Sequence, residues 1–239
     1  MRKTALITGG SRGIGAAAVR RFRARGYEVA FCYRQSESQA KALANETGAL
    51  AWQADVGDRA AVKTLVEHAE REFGHLDVLI NNAGVEQFGL LSDLTDEEWD
   101  RLVAVNLSAP VYAARAALPG MIRRKTGCIL NVSSIWGLCG ASCEAAYSAV
   151  KAGVIGLTKA LAKEVGPSGV RVNCIAPGAV DTDMNARLSE EERRSVEEET
   201  PLGRMGSPEE IASVMAFLAS EEAGFLTGQV VSPNGGLVI

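Results

Sequence analysis

The residues best suited to chemistry in this sequence are a tyrosine and a lysine four positions apart, Tyr147 and Lys151. In a helix, residues at i and i+4 share one face, so the phenol and the ammonium can converge on one ligand. The pair is common by itself, but Ser133 and Ser134 end an apolar strand pattern shortly before it. Hydroxyl groups there would lie at the carboxyl edge of a parallel sheet, where open α/β folds bind ligands. The spacing therefore predicts a site with a phenol, an ammonium and a hydroxyl.

A glycine-rich turn is the second feature with a chemical role. Thr8-Gly9-Gly10-Ser11-Arg12-Gly13-Ile14-Gly15 follows a short apolar strand pattern and opens a helical one. Glycines permit a tight turn there and let backbone N–H groups at a helix N-terminus approach a pyrophosphate. The turn predicts dinucleotide binding. Its spacing differs from the common G-x-G-x-x-G fingerprint, so an ordinary strand-to-helix turn is the alternative interpretation.

Two arginines indicate which dinucleotide binds. NAD-binding folds usually carry an acid at the end of the second strand for the ribose 2′-hydroxyl, whereas NADP needs a cation for the 2′-phosphate. Between Phe31 and Ser36 there is no acid, and Arg34 occupies the place. Arg12, inside the glycine turn, can reach the same phosphate, and guanidinium groups suit its bidentate recognition. We therefore expect NADP(H) as the cofactor, the alternative being two arginines that face solvent.

Composition and charge argue against several other classes of protein. The 239 residues carry a formal net charge of -4, with 47% hydrophobic and 23% charged residues, which is ordinary for a globular protein. The sequence has no basic stripe typical of a nucleic-acid surface, no apolar run of membrane-spanning length and no visible leader. We expect a cytoplasmic protein with no nucleic-acid or membrane partner.

The cysteines and histidines do not predict a metal site. Five cysteines form no C-x-x-C pair, and an odd number without a secretion signal argues against a disulfide framework. Cys139 and Cys143 are four positions apart, but no histidine lies nearby in the sequence to complete a metal site. His68 and His75 fall in or just after a helical pattern. We expect inert thiols, no metal and no histidine-based catalysis.

The elements that must position these residues alternate along the whole chain. Short apolar runs predict strands at Thr4–Thr8, Val29–Tyr33, Leu50–Ala54, Val78–Asn81, Ile129–Ser133, Val170–Ile175 and Gln229–Val231. Helical patterns cover Gly13–Arg25, Ser36–Thr47, Arg59–Phe73, two helices within Asp96–Lys125, Tyr147–Val165, and a helix that starts at Ser207. This alternation predicts an α/β fold: a single Rossmann-like domain over 1–239, with a doubly wound, seven-stranded parallel sheet and helices on both faces.

Together these motifs resemble the short-chain dehydrogenase/reductase family over essentially the whole chain. Each is weak or moderate alone, and the resemblance rests on their order and spacing: Thr8-Gly9-x-x-x-Gly13-x-Gly15, Asp55-Val56, Asn81-Asn82-Ala83-Gly84, Asn106, Ser134, Tyr147-x-x-x-Lys151 and Pro177-Gly178 with Thr182. The resemblance implies an oxidoreductase that moves a hydride between NADPH and a carbonyl group.

The family's catalytic roles fall on four residues. By resemblance, Tyr147 is the general acid that protonates the carbonyl oxygen, and Ser134 hydrogen-bonds that oxygen and fixes its direction. Ser134 is preferred to the adjacent Ser133 because its spacing to Tyr147 matches the family. Lys151⁺, with the oxidised nicotinamide, is expected to lower the pKa of Tyr147 and to hold the nicotinamide ribose. Asn106 would hold a water that links Lys151 to solvent.

The resemblance also implies two sets of ligand contacts. The cofactor contacts are Gly9, Ser11, Arg12, Gly13, Ile14, Gly15, Arg34, Asp55, Val56, Asn82, Ala83, Gly84, Tyr147, Lys151, Pro177, Gly178, Val180 and Thr182. The substrate contacts are Ser134, Glu86, Trp136, Glu144 and Tyr147. We also expect a substrate lid at about 182–200, which contains the acid-rich stretch Glu190–Glu199. A merely solvated helix is the other interpretation of that stretch, and the two are compatible.

Two branches of the family compete for the substrate. The overall length, the Gly10–Gly13 turn and the ending Val230–Gly236 resemble 3-oxoacyl-[acyl-carrier-protein] reductases of fatty acid biosynthesis, which form homotetramers. Arg123-Arg124-Lys125 could then meet an acidic acyl carrier protein. Ser168 weakens this interpretation because it stands where a second docking arginine is often found.

The loop before Tyr147 favours the other branch. Ser134–Gly137 and Gly140–Glu144 resemble the reductases that act on the 5-aminopentanone group carried by a lysine of elongation factor P. Glu144 and Glu86 could pair with the ammonium of that substrate, or both could point to solvent. A third possibility is a non-catalytic NADP-binding sensor or scaffold. Such proteins usually lose the tyrosine, lysine or serine, all of which this chain keeps.

Overall fold

The computed structural model describes residues 2–186 and 188–239. The strands within these ranges are all parallel and form a single sheet in the order β3-β2-β1-β4-β5-β6-β7. They are β1 (Thr4–Ile7), β2 (Glu28–Tyr33), β3 (Leu50–Gln53), β4 (Val78–Asn81), β5 (Gly127–Val132), β6 (Val170–Ile175) and β7 (Val230–Val231). The predicted doubly wound, seven-stranded sheet is confirmed.

The helices follow the predicted alternation with the strands. They are α1 (Gly13–Ala24), α2 (Glu37–Thr47), α3 (Arg59–Phe73), α4 (Asp96–Val103), α5 (Ala109–Arg124), α6 (Trp136–Cys139), α7 (Ala145–Val165), α8 (Glu190–Glu199) and α9 (Pro208–Leu218). Short 3₁₀ turns lie at Leu91–Asp93, Gly166–Ser168, Asp183–Asn185 and Glu221–Ala223. Within the described ranges, every helix is too short or too polar to traverse a lipid bilayer.

Both faces of the sheet are buried, which is why the strands are apolar throughout. Successive side chains of a strand point to opposite faces. Ile7 of β1 packs in one core with Phe22 of α1 and Met215 of α9. The adjacent Leu6 packs in a second core with Val66 of α3 and with small residues of α5. The sheet is thus a middle layer between two layers of helices.

Helix ends occur where the local signals predict them. Gly26 has a φ of +83° just after α1, a left-handed conformation that favours glycine and ends the helix. Thr95 forms a capping box with Glu98 at the start of α4. Ser207 forms another with Glu210 at the start of α9, with Pro208 in the first helical turn.

One irregular turn was not predicted from the pattern. The two helices expected within Asp96–Lys125 are joined without a loop, through a π-helical turn at Ala104–Ser108. A π turn inserts one extra residue into the helix and is frequent at functional sites. Asn106 lies in the middle of it.

Strand order sets the position of the cleft. β1 pairs with β2 on one side and with β4 on the other, so the chain reverses its direction across the sheet between these two neighbours. Helices leave toward opposite faces at such a point, and a crevice opens at the carboxyl ends of the strands. The glycine turn, Asn81–Gly84 and Ser133-Ser134 all follow strands that end at this edge.

Candidate active site

The glycine turn is closely packed against the loop after β4. Gly9 has a φ of +65°, and a Cβ added there would come within 2.8 Å of the Cα of Ala83. Asn82 completes the contact, because its Nδ2 donates to the carbonyls of Thr8 at 3.0 Å and Gly9 at 3.1 Å. The positive φ and the close approach to Ala83 both require glycine at position 9, and the packing against Asn82 and Ala83 fixes the shape of the turn.

The start of α1 leaves backbone donors directed at the cleft. Arg12 occupies the N-cap position with extended backbone, and its side chain makes no capping hydrogen bond. The first N–H groups of a helix lack partners within the helix and carry a partial positive charge. A Cβ on Gly15 would overlap the carbonyl oxygen of Gly9. The start of α1 therefore offers backbone N–H groups to an anionic ligand.

One continuous cleft runs from this turn to Tyr147. Every residue in the predicted set of cofactor contacts lines it, as does Ser134. Ser133 lines it as well. The other lining residues were not proposed as contacts from the sequence: Cys32, Tyr33, Gln35, Ser36, Ala54, Val85, Arg101, Val105, Val132, Asp183 and Asn185. Asn106, Glu86, Trp136 and Glu144 are outside the lining of this cleft.

The two predicted phosphate-binding arginines lie at one end of the cleft. Arg34 follows β2, and its Nη2 is 3.2 Å from the Oε1 of the neutral Gln35. Arg12 has an Nη1 3.5 Å from the Oδ2 of Asp183, in the 3₁₀ turn at the start of the predicted lid. Both members of that ion pair are well exposed, so the pair is weak.

Tyr147 lies in the first turn of α7 with 8% of its surface exposed. Burial raises the pKa of its hydroxyl above the ordinary value for tyrosine, and the negative charges of Glu144 and Glu86 raise it further. A hydrogen bond with Ser134 acts in the opposite direction but is outweighed. The phenol is therefore held in its protonated form.

Lys151 lies one turn further along α7 and is 3% exposed. Its Nζ donates to the carbonyl of Val132 at 3.1 Å and lies 5.5 Å from the centre of the Tyr147 ring. Burial lowers the pKa of Lys151 to about 8, against a smaller opposing effect of Cys174. Desolvation thus raises the pKa of the phenol and lowers that of the amine. The expectation that Lys151⁺ and the oxidised nicotinamide together depress the pKa of Tyr147 stays a prediction.

The two serines after β5 have different partners. Ser133 donates its hydroxyl to the carbonyl of Lys151 at 2.8 Å, which ties the strand end to α7. Ser134 makes a side-chain hydrogen bond with Tyr147, and its Oγ accepts from the backbone N–H of Trp136 at 3.2 Å. Ser134 is thus the serine next to the phenol, and Ser133 supports the helix.

Asn106 has one satisfied and one unsatisfied end. Its Nδ2 donates to the carbonyls of Val85 at 3.0 Å and Leu102 at 3.1 Å. Its Oδ1 is buried and has no hydrogen-bond partner among the described residues. A Cβ added to Gly84 would lie 3.0 Å from this Oδ1 and 3.5 Å from the Nζ of Lys151. The amide oxygen and the ammonium therefore border the same small space, which only glycine leaves open.

The remaining predicted substrate contacts surround the mouth of the site. Glu144 is half-buried at the N-cap of α7, directly after Cys143, whose φ is +60°. Glu86 is exposed and lines an adjoining hollow. Trp136, on the short helix α6, packs against the cluster around Tyr147.

The loop that precedes Tyr147 is held in place by hydrogen bonds from Ala141 N to Ser148 Oγ and from Gly89 N to Cys143 O.

Metal binding has no support in the described part of the chain, which contains no group of three or more histidine, cysteine or acidic residues that could hold an ion. Among the same residues, the cysteines are free: Cys32, Cys128 and Cys174 are buried, Cys143 is half-buried and Cys139 is exposed. His68 stacks on Trp52, with ring centres 4.1 Å apart, away from the cleft.

The chain is similar in sequence to known reductases over nearly its whole length. A family model described as Enoyl-(Acyl carrier protein) reductase matches residues 9–238. The chain is 41% identical over 242 residues to 3-oxoacyl-[acyl-carrier-protein] reductase FabG of Staphylococcus aureus, covering 99% of this chain and 98% of that protein. It is 40% identical over 237 residues to the protein of that name from Escherichia coli, covering 98% and 97%.

A solved structure shows the same fold. A double mutant of a Serratia marcescens short-chain dehydrogenase/reductase superposes with a TM-score of 0.92 and 37% sequence identity. The match covers 98% of this chain and 97% of that one.

Proposed function

The chain belongs to the short-chain dehydrogenase/reductase family, whose members generally use NAD(P)H, and we propose that it is an NADPH-dependent ketone reductase similar to 3-oxoacyl-[acyl-carrier-protein] reductases. The observation that carries the proposal is the position of Tyr147, Ser134 and Lys151 in the cleft that the glycine turn opens. The full-length similarity to reductases of that name supports the same conclusion.

The residues of the cleft fit a phosphorylated dinucleotide. Backbone N–H groups at the start of α1 suit a pyrophosphate. Arg12 and Arg34 would hold the 2′-phosphate, and Asp55 with Val56 would meet the adenine. Asn82, Ala83 and Gly84 would line the middle of the cofactor, and Pro177, Gly178, Val180 and Thr182 its nicotinamide end.

The catalytic residues would divide the proton chemistry among them. When bound, the reduced nicotinamide supplies a hydride to the carbonyl carbon. Ser134 donates a hydrogen bond to the carbonyl oxygen and fixes its direction, and Tyr147 donates the proton that this oxygen takes up. The phenol is protonated at neutral pH, and bound substrate and cofactor would have to lower its raised pKa for the proton to leave readily.

Lys151 and Asn106 would return a proton to Tyr147. The pKa of Lys151, about 8, is close enough to neutrality for the amine to exchange protons readily. The unsatisfied Oδ1 of Asn106 would accept a hydrogen bond from a water placed beside Lys151 Nζ. That water would connect the amine to solvent.

The direct test is turnover with purified protein. NADPH oxidation should accelerate on addition of an acetoacetyl thioester, and NADH should be a poorer donor. Comparable rates with both cofactors would refute the NADPH preference. No oxidation of NADPH with any ketone or diketone would refute the reductase itself and favour a non-catalytic sensor or scaffold.

A second candidate substrate is the 5-aminopentanone group of modified elongation factor P. The observation in its favour is that the charges of both Glu144 and Glu86 act on the hydroxyl of Tyr147. Carboxylates this close to the reaction centre suit a ketone that carries an ammonium and give no advantage with a fatty acyl chain. Rates on the two substrates, measured side by side, decide between the branches.

Of the basic cluster Arg123-Arg124-Lys125, proposed to meet an acyl carrier protein, only two side chains are exposed. Arg124 donates to the carbonyl of Leu76, on its own protein. Arg123 and Lys125 are exposed and would carry the attraction, and Ser168 lies in the 3₁₀ turn after α7. A carrier-protein substrate should therefore show a salt-dependent KM that Arg123→Gln raises.

We further propose a homotetramer and a lid. Phe225 and Ile239 are fully exposed near β7, where a second copy could cover them, and light scattering would report the mass.

The lid at about 182–200 includes Arg187, which lies outside the described residues. Its helix α8 is tied to Asp181 by two hydrogen bonds from Arg193, at 3.1 and 2.9 Å. Hydrogen exchange in α8 should slow when NADPH and substrate bind.

A further inference from the structure

An ion pair that the sequence did not predict lies in the wall of the cleft. Arg101, in the last turn of α4, grips the carboxylate of Asp55 with both of its terminal nitrogens. Nη1 is 3.0 Å from Oδ2, and Nη2 is 3.0 Å from Oδ1. About a third of each side chain is exposed. This two-bonded geometry is stronger and more directional than a single contact between charged groups.

The carboxylate of Asp55 has little acceptor capacity left. Its Oδ1 also accepts from the backbone N–H of Gly57 at 2.8 Å. A carboxylate accepts about four hydrogen bonds, so three of these positions are filled by Arg101 and Gly57. Its orientation in the wall is therefore set by Arg101, and it has one position left, on Oδ2, for a ligand.

Asp55 is also a negative charge close to the proposed phosphate site. Asp55, Arg34 and Arg101 line the same cleft. Burial raises the pKa of Asp55, but its hydrogen bonds with Arg101 and Gly57, and the charges of Arg101 and Arg34, outweigh this and lower it. Arg34 thus acts on Asp55 as well as on any phosphate. Without Arg101, the carboxylate would compete with the phosphate for Arg34 and repel it.

From this arrangement we infer that Arg101 is a specificity-determining residue for NADPH, acting through Asp55. The inference rests on the proposed preference for NADPH. Arg101 neutralises the carboxylate of Asp55, so that a 2′-phosphate beside Arg34 meets a net positive surface. An unphosphorylated adenosine ribose carries no charge at this position and gains nothing from that neutralisation.

The inference is tested with ligands that cannot react. Calorimetry gives the Kd of 2′-phospho-ADP-ribose and of ADP-ribose for the wild type and for Arg101→Gln. The measured quantity is the preference, the Kd of ADP-ribose divided by that of 2′-phospho-ADP-ribose. Loss of one neutralising charge in a partly exposed site should lower this preference about five- to tenfold. Arg101→Lys, which keeps the charge but not the forked geometry, should retain most of it.

A second substitution separates charge from structure. In Arg101→Gln/Asp55→Asn the unpaired acid is gone, so the preference should return toward the wild-type value even if both ligands bind more weakly. Additive losses in the double variant would contradict the inference, since they would mean that Arg101 acts independently of Asp55. Arg115→Gln, an exposed arginine on α5 that stacks on Tyr112, is the matched control and should change neither Kd.

The outcomes distinguish this inference from the proposed function. A wild-type preference close to one would refute the NADPH proposal and the role of Arg101 with it. A clear wild-type preference that Arg101→Gln leaves unchanged would overturn the role of Arg101 alone. An equal increase in both Kd values would also overturn it, because Arg101 would then only support binding of the adenine that both ligands share.

Discussion

The Nζ of Lys151 lies 5.5 Å from the centre of the Tyr147 ring, and both groups are almost fully buried. At neutral pH this environment keeps the phenol protonated and brings the amine close to its titration point. The pair is suited to delivering a proton, which is the requirement for reducing a ketone.

Tyr147→Phe should abolish reduction while cofactor binding is retained. The substitution removes the proton donor and its hydrogen bond with Ser134, and loss of a general acid typically costs about 10²- to 10⁴-fold in kcat. Turnover and the Kd for NADPH should be measured together. Tyr112→Phe, on α5 outside the cleft, is the control. Turnover within a few-fold of the wild type would exclude Tyr147 as the acid.

Lys151 should contribute a rise in stability with pH between about 8 and 10. It titrates at about 8 in the folded chain and at 10.5 when unperturbed, so at this group the unfolded state binds more protons, and its contribution to the free energy of unfolding grows by up to ~3 kcal/mol in all. The buried thiols of Cys32, Cys128 and Cys174 act in the opposite direction, because burial raises their pKa from 9.0 to about 11 and the unfolded thiols ionise first. The raised pKa of Tyr147 does the same above pH 10. The contribution of Lys151 is therefore measured as a difference between the wild type and a variant that lacks the amine.

Lys151→Met is the variant that checks this pH dependence. Urea unfolding of both proteins at a series of pH values should show the wild type gaining stability relative to the variant between about pH 8 and 10, since the buried thiols are present in both. The variant should be the more stable of the two at neutral pH, because it buries no ammonium. A difference in stability that does not change with pH would contradict the lowered pKa of Lys151.

Asn106→Ala should slow turnover without weakening the binding of NADPH. It removes the unsatisfied Oδ1 that borders Lys151 Nζ, and with it the proposed site for the relay water. It also leaves the carbonyls of Val85 and Leu102 without their donor, which should cost about 1–2 kcal/mol of stability. A change in the solvent isotope effect on kcat would support the relay. An unchanged isotope effect with normal kcat would argue against it.

Glu144→Gln should have opposite consequences for the two candidate substrates. The substitution removes a negative charge that raises the pKa of Tyr147. It also replaces a charged group beside the acyl chain by a neutral amide. Reduction of an acetoacetyl thioester should be unchanged or faster. Reduction of an aminopentanone should lose about 1 kcal/mol or more of binding, seen as a raised KM. Glu72→Gln, exposed on α3 and outside the cleft and its adjoining hollow, serves as the control. Equal effects on both substrates would remove the argument for an ammonium-bearing ketone.

Much of this protein follows from information that is local in the sequence. The alternation of apolar runs with helical patterns predicts the parallel sheet, because strands buried on both faces must be apolar throughout. Capping boxes at Thr95 and Ser207 act within four residues, and within the glycine turn a Cβ on Gly15 would overlap the carbonyl oxygen of Gly9. Tyr147 and Lys151 share a helical face for the same local reason.

Tertiary structure decided the rest, because it depends on contacts between distant parts of the chain. Arg101 meets Asp55 across 46 positions, and nothing near either residue signals the pair. The π turn that aims Asn106 at Gly84 has no sequence pattern of its own. Desolvation of Tyr147 and Lys151 depends on everything packed around them, so the spacing identified the pair but did not predict that burial raises the pKa of the phenol and lowers that of the amine.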